Sequence, residues 1–244
     1  MWQSERLQSA DPLSALIFRV VISEFGRDLR GARVLEVGCG SGRISIGMAE
    51  SGAEITLLDY SSEALLTART QLAHRAVNAE LVCGSMFQLP FQDGRYDLVW
   101  NAGVLEHYGE RDQKTALSEM LRVCAVGGSI ITLNPSSRAY LYRAGKYIEE
   151  RLGKWKYGYE QPVASLAPVL HALGIARVRE FTVGFYEQFT FLRAVPMIRF
   201  FAHHFAAWGR VHWPALQTRG GYLLATVFRK PAAAEHAPVV HALA

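Results

Sequence analysis

The clearest chemical pattern in this chain is three glycines, Gly38, Gly40 and Gly42, directly after an apolar run that contains an acid, Glu36. Glycine adopts positive φ and lets a ligand approach the backbone, so the pattern is typical of a nucleotide-binding turn between a strand and a helix. A dinucleotide site has Gly-x-Gly-x-x-Gly, and here the third glycine comes one residue early. An acid at this place would repel a pyrophosphate and attract a cation. The pattern therefore favours a ligand with an adenosine and a positively charged end over a nicotinamide dinucleotide.

A second candidate is Asp59, which ends the next apolar run. A carboxylate there can accept both hydroxyls of a ribose, as acids do in related nucleotide folds. Tyr60 would then pack on the adenine. The alternative is that Asp59 is an ordinary helix N-cap.

The segment Tyr96–His107 carries a third set of candidates over the carboxyl edge of the predicted sheet, where ligands bind in α/β folds. Glu106 and His107 are its candidates for the acceptor side of a reaction. Histidine is the side chain best suited to take a proton near neutral pH.

These residues must be positioned by alternating strands and helices. Short β-branched runs bounded by glycine or polar residues predict strands, and capped amphipathic runs predict helices. The alternation predicts parallel strands joined by right-handed crossovers. Predicted strands are 33–37, 54–58, 80–83, 96–101, 129–133, 177–183 and 222–228, and predicted helices are 12–29, 41–51, 62–76 and 112–124.

The run Val34–Arg43, which reads Val-Leu-Glu-Val-Gly-Cys-Gly-Ser-Gly-Arg, resembles the first motif of the class I S-adenosylmethionine-dependent methyltransferases that act on small molecules. The resemblance covers about residues 31–134 well and extends loosely to the last strand. It implies a Rossmann-like α/β fold: a seven-stranded, mostly parallel sheet with an antiparallel last strand and helices on both faces. It also implies S-adenosyl-L-methionine as cofactor, bound by Glu36, Gly38, Cys39, Gly40 and Gly42, with Asp59 on the ribose.

The same resemblance implies contacts further along the chain. Ser85 stands where family members often have an aspartate that accepts from the adenine amino group, and serine offers no charge and a shorter reach. Met86 would offer its backbone N–H and its side chain to the adenine. Asn101 and Ala102 would approach the cofactor by backbone, and Leu105 by packing.

For His107 two roles stay open. It is a candidate base, with Glu106 beside it, but a histidine recurs at this place in family members of different specificity and could simply orient loops. No metal site is predicted, since the pair His203-His204 has no surrounding Cys, His or Asp ligands.

Two insertions are candidates for the acceptor side. Residues 135–160 contain Tyr140, Tyr142 and Tyr159, which we interpret either as substrate contacts in a lid or as a surface helix that covers the core edge. Residues 184–220 lie between the last two strands and include Tyr186 as a further substrate candidate. Their aromatic content predicts a helical cap over an acceptor pocket, and the alternatives are a homodimer interface or a face packed on the N-terminal helix.

Composition narrows the class of protein. The net charge of +4 in 244 residues is dilute, so we expect no nucleic-acid partner. Three unpaired cysteines, no signal peptide and no membrane span predict a cytoplasmic protein. The predicted organisation is an N-terminal helical extension over 1–30, a methyltransferase domain over 31–230 and a disordered tail over 231–244.

The predicted function is methyl transfer to a small-molecule acceptor at O, N or C, with an aromatic or lipid-like metabolite favoured by the aromatic insertion. Two alternatives remain: a cofactor-binding scaffold without turnover, and a nicotinamide-dependent oxidoreductase, which the glycine spacing and Glu36 oppose.

Overall fold

The computed structural model of the chain describes residues 11–232 apart from residues 157 and 195. The first ten residues and the greater part of the predicted tail therefore lie outside the described residues. The strands are β1 (Arg33–Val37), β2 (Glu54–Asp59), β3 (Glu80–Cys83), β4 (Tyr96–Ala102), β5 (Cys124–Pro135), β6 (Val178–Val183) and β7 (Leu223–Arg229). The helices are α1 (Pro12–Phe25), α2 (Arg43–Ala49), α3 (Ser62–Arg75), α4 (Glu110–Val123), α5 (Tyr140–Arg151), α6 (Ala167–His171) and α7 (Pro196–His212).

All seven strands form one sheet in the order β3-β2-β1-β4-β5-β7-β6. The first five are parallel, and β7 runs antiparallel to both of its neighbours, with Ile131 opposite Val227 and Phe181 opposite Ala225. This confirms the predicted mostly parallel sheet with an antiparallel last strand. Because β1 and β4 are central, their carboxyl ends meet at the middle of one edge of the sheet.

Helices cover both faces of the sheet, as predicted. Successive side chains of a strand point to opposite faces. Val34 lies in the core under α1, α2 and α3, whereas Leu35 lies in the core under α4 and α6. Strands buried on both faces read as continuous apolar runs, which is why β1 and β4 could be found in the sequence.

Glycine conformation moves two predicted helix boundaries. α1 begins as predicted, with Asp11 accepting a hydrogen bond from the Leu13 N–H, but it ends at Phe25 because Gly26 adopts a φ of 65°. α2 begins at Arg43 rather than residue 41, since Gly42 also has a φ of 65°.

Strand β5 begins five residues earlier than predicted. Cys124 already pairs with Tyr96, and the register shifts before Leu98 pairs with Ser129. Gly127, which has a φ of 71°, therefore lies inside the irregular start of the strand.

Both predicted insertions contain helices. The first holds α5. The second, residues 184–220, which we call the cap, holds a 3₁₀ segment (Tyr186–Ala194), α7 and a second 3₁₀ segment (Pro214–Thr218). An aromatic cluster joins the two insertions, because the ring of Tyr142 on α5 meets Phe191 of the cap at 4.7 Å and Tyr222 at 4.9 Å.

None of the helices in the described part of the chain is long and apolar enough to cross a membrane. The three cysteines are free thiols.

Candidate active site

The glycine turn follows β1 directly, and its backbone has the conformation that the sequence predicts. Gly38, Gly40 and Gly42 have φ values of 73°, 52° and 65°. A Cβ on Gly42 would lie 2.5 Å from the Leu57 side chain, whereas a Cβ on Gly40 would meet nothing within 4 Å. Gly42 is therefore needed for packing against β2, and Gly40 leaves its side of the turn open to a ligand.

Asp59 lies at the end of β2 directly against this turn. Its carboxylate accepts hydrogen bonds from the Gly40 N–H at 2.8 Å and the Ser61 N–H at 2.9 Å. The N-cap of α3 is Ser61, whose hydroxyl accepts from the Ala64 N–H. Asp59 is therefore not the cap of this helix, and its carboxylate joins the glycine turn to the end of β2.

Glu36 is buried on β1 beneath the turn. The hydroxyl and backbone N–H of Ser45 donate to it, and burial raises the pKa of its carboxyl to about 8. Its Oε2 has no hydrogen-bond partner among the described residues. A buried oxygen without a hydrogen-bond partner costs free energy. A cationic N–H donor on a bound ligand would supply that partner.

The candidates for the adenine end lie at neighbouring strand ends. Asp59 pairs with Cys83, which places Tyr60 beside the Cys83–Ser85 turn, and the ring of Tyr60 is exposed. Ser85 is exposed, and its hydroxyl accepts from the Phe87 N–H, while Met86 is buried. Sequence reasoning missed the edge-to-face pair of Phe87 and Tyr108, with ring centroids 5.1 Å apart, at this end of the site.

The strand-four candidates divide into two groups. Asn101 and Leu105 are fully buried, with the Asn101 amide donating to the Met120 sulfur at 3.7 Å. Ala102 is only half-buried. The buried side chains of Asn101 and Leu105 offer no exposed group to a ligand, so the predicted contacts would be made by backbone and packing.

Glu106 and His107 lie in a short 3₁₀ turn after β4, and a third side chain, Glu160, joins them. The His107 Nε2 lies 4.0 Å from a Glu106 oxygen. Ligand atoms of the three side chains lie within 4.8 Å of one another, a spacing that a metal ion would also require. The Gln161 N–H donates to the Glu106 carbonyl at 2.8 Å, which holds Glu160 at this place.

The tautomer of His107 follows from its hydrogen bond. Nδ1 lies 2.7 Å from the backbone carbonyl of Tyr159. A carbonyl oxygen only accepts, so Nδ1 carries the proton and Nε2 presents a lone pair. The His107 side chain is 33% exposed.

The electrostatics of the two acids are set by burial. Glu106 is 2% exposed, and burial raises the pKa of its carboxyl to about 8, with Glu160 adding to the effect. Burial also raises the pKa of Glu160, opposed by the hydrogen bond from the Tyr142 hydroxyl and by His107. Glu106 therefore holds a proton at neutral pH.

These groups open into a cavity of 810 Å³ between the sheet edge and the cap. The sheet contributes Gly103, Glu106 and His107, together with Arg43 directly after the glycine turn. The cap and its neighbours contribute an aromatic wall and one ion pair. These residues are Tyr186, Phe189, Phe191 and Tyr222, and Glu187 with Arg210.

The four predicted substrate tyrosines take different places. Tyr186 lines the cavity, with its hydroxyl donating to the Trp213 carbonyl at 2.9 Å. Tyr140 and Tyr159 have exposed rings, and Tyr159 serves the site by its carbonyl. Tyr142 is buried and donates to Glu160, so the prediction that it contacts substrate directly is replaced by contact through Glu160.

Residues 34–128 match the model of a family described as "Methyltransferase domain". A curated relative, the ubiquinone biosynthesis O-methyltransferase of Alkalilimnicola ehrlichii, is 33% identical over 144 residues, which cover 54% of this chain and 55% of that protein. The match thus spans about half the length of each protein.

Two solved structures share the fold at low identity. Magnesium protoporphyrin IX methyltransferase from Synechocystis, solved with bound SAH, is 20% identical with a TM-score of 0.54 and covers 75% of this chain and 78% of that one. The cyclase SpnF is 20% identical with a TM-score of 0.59 and covers 88% of this chain and 80% of that one.

The glycine turn, the acid at the end of β2 and the sheet order, together with the family match, define the class. Residues 34–128 form a methyltransferase domain similar to those of the class I S-adenosylmethionine-dependent methyltransferases. Enzymes of this class use S-adenosyl-L-methionine as the methyl donor, in agreement with the family match over residues 34–128.

Proposed function

We propose that this chain transfers the methyl group of S-adenosylmethionine to a hydroxyl of a small aromatic or lipid-like acceptor. The observation that carries the proposal is the 810 Å³ cavity, whose lining includes Arg43 directly after the glycine turn, a histidine, two acids and aromatic rings. A pocket of this size suits a small organic molecule. The O-methyltransferase relative supports oxygen as the acceptor atom.

The residues present fit S-adenosylmethionine. Asp59 lies against the turn with lone pairs for the ribose hydroxyls. Gly40 leaves open space on the turn, and the unpartnered Oε2 of Glu36 suits the ammonium of the methionine end. When bound, the cofactor supplies an electrophilic methyl on a sulfonium.

His107 would remove the acceptor proton. Its Nδ1–H is held by the Tyr159 carbonyl, so Nε2 is the atom that accepts the hydroxyl proton. The resulting imidazolium would be stabilised by Glu160, which Tyr142 holds in place. Glu106, protonated at neutral pH, would orient the acceptor oxygen as a hydrogen-bond donor.

The rest of the cavity would align the acceptor and exclude water. The aromatic wall suits a planar aromatic or an aliphatic molecule, and it is formed by Phe189, Phe191 and Tyr222. Methyl transfer needs the acceptor in line with the donor, so alignment by such a wall supplies much of the catalysis.

The experiment is an acceptor screen followed by mass shift. The full chain is incubated with S-adenosylmethionine and a panel of phenols with and without alkyl chains. We expect a methylated product that His107→Ala reduces strongly, whereas His74→Ala, an exposed histidine on α3, is a matched control with normal turnover.

Three results would contradict parts of the proposal. Binding of SAH with no methylated product from a broad panel favours the scaffold alternative, and binding of NAD instead of SAH favours the oxidoreductase. Loss of turnover in EDTA that magnesium restores would make Glu106, His107 and Glu160 metal ligands and would overturn the base role of His107.

A further inference from the structure

The outward face of α7 carries large apolar side chains in contact with solvent. Phe201, Trp208 and Val211 are 67%, 46% and 74% exposed. Spacings of seven and three residues place them on one side of a helix. Phe205 and Trp213, also exposed, pack against this stripe, with Trp208 and Trp213 ring centroids 4.8 Å apart. Exposed apolar patches of this kind mark interaction surfaces.

The cap carries a net positive charge. Residues 185–220 contain four arginines, at 193, 199, 210 and 219, and one acid, Glu187, so they hold +3 of the chain's net +4. Glu187 is buried and already accepts from Arg210 at 3.2 Å. The other three arginines of the segment have no further acid within it to offset their charge.

We propose that the outward face of the cap lies on an anionic lipid surface, with Phe201, Trp208 and Val211 inserted at the level of the headgroups. Helices that lie in the membrane interface combine Trp and Phe on one face with basic residues and low overall hydrophobicity. Anionic lipids attract arginine near the surface.

The other side of the same helix faces the cavity. Ala206 and Arg210 of α7 line it. One helix thus separates the lipid surface from the acceptor site. A lipid-like acceptor would reach the cavity at the edge of the cap without crossing open water. This last step depends on the proposed methyl transfer, but the lipid binding does not.

The charge argues against a second copy of the chain as the occupant. A two-fold contact places the same face of both copies together. That arrangement would set two arginine-rich segments opposite each other, and like charges at a contact repel. An anionic lipid surface complements the same segment.

The test is flotation of the full chain with vesicles, in the absence of any methyl donor. We expect the protein to float with vesicles of phosphatidylcholine and phosphatidylglycerol at 3:1, and much less with phosphatidylcholine alone or in high salt. The variant Phe201→Ser/Trp208→Ser/Val211→Ser should lower the bound fraction at least about tenfold, since its buried apolar area is lost.

The matched control is Leu66→Ser/Val126→Ser/Leu152→Ser, which removes three exposed apolar side chains elsewhere. It should float like the wild type, and both variants should keep the far-UV spectrum and SAH affinity of the wild type.

Three outcomes would overturn the proposal: no flotation with either vesicle, equal flotation of the cap variant and the control, or a wild-type dimer by light scattering that the cap variant converts to monomer. The last outcome assigns the face to a second copy. None of them depends on methyl transfer, so failure here is distinguishable from failure of the proposed function.

Discussion

The cofactor half of the molecule, residues 31–134, and the cap are built from contacts of different kinds. In the cofactor half, each candidate lies within a few residues of the carboxyl end of a parallel strand, and the strands bring Gly40 and Asp59 within one hydrogen bond. In the cap, the contacts that shape the cavity join distant residues, as with Tyr186 and Trp213 or Glu187 and Arg210. Cofactor binding and acceptor binding should therefore be separable by mutation.

The largest expected effect is a loss of turnover at His107 that leaves cofactor binding nearly unchanged. His107→Ala should lower kcat by about 10²–10⁴-fold, the usual contribution of a positioned base. SAH affinity should change little, because the side chain bonds the Tyr159 carbonyl and faces the cavity. Steady-state kinetics and calorimetry measure the two effects. An equal loss in both would show that His107 orients the loops.

The next effect tests the cofactor half alone. Asp59→Ala should weaken SAH binding about 10²-fold, since two ribose hydroxyls and the Gly40 N–H lose their acceptor. Asp59→Asn, which keeps one oxygen, should lose less. Undiminished affinity of the alanine variant in calorimetric titration would refute the assignment of Asp59 to the ribose.

A third prediction concerns pH and the two acids whose pKa values burial raises to about 8, Glu36 in the cofactor half and Glu106 at the cavity. The folded state holds their protons more tightly than the unfolded chain, whose carboxyls titrate near 4.5. The stabilisation is complete below pH 4.5 and is lost as pH rises through about 8.

The free energy of unfolding should fall by about 2 kcal/mol per acid between pH 6 and pH 8. Glu36→Gln and Glu106→Gln should each flatten this slope in urea titrations. SAH should also flatten it through Glu36 but not through Glu106, because the proposed cofactor site places the ammonium at Glu36. If the slope is unchanged in both variants, the raised pKa values are not those of Glu36 and Glu106.

The smallest expected effect comes from a substitution that disturbs the packing of the cap and leaves the cofactor half unchanged. A Cβ at Gly145 on α5 would lie 2.3 Å from the Phe191 carbonyl oxygen, so Gly145→Ala should cost about 1–2 kcal/mol in the free energy of unfolding and raise the KM for acceptor. Gly109→Ala is the matched control, since a Cβ there meets nothing within 4 Å. A parallel loss of SAH affinity would show that the two regions are coupled.

The strands could be predicted because their signals are local. β-branched runs between glycines gave all seven strands within a few residues, and their common sheet followed from the resemblance to a known family. The early start of β5 could not be predicted, because it depends on the pairing of Cys124 with Tyr96. Sheet partners decide strand ends, and the partner is distant in sequence.

In the candidate site, the residues that sequence reasoning missed are those without a local pattern. Glu160 lies in an irregular stretch, and the hydrogen bonds of its neighbours, Tyr159 with His107 and Gln161 with Glu106, bring it to His107. Arg43 was visible only as the end of the glycine motif, and its place on the cavity follows from the cap above it. Tyr142 was noted for its type, but its burial depends on Phe191 and Tyr222.

The sequence by itself determined the class of fold and the cofactor turn, because positive φ at glycine and an acid at a strand end are properties of a few adjacent residues. Only the tertiary structure decided the acceptor cavity, the tautomer of His107 and the exposed aromatic face of the cap. The bond between His107 and Tyr159 spans 52 residues. Such contacts exist only when the whole chain is packed, so no local pattern encodes them.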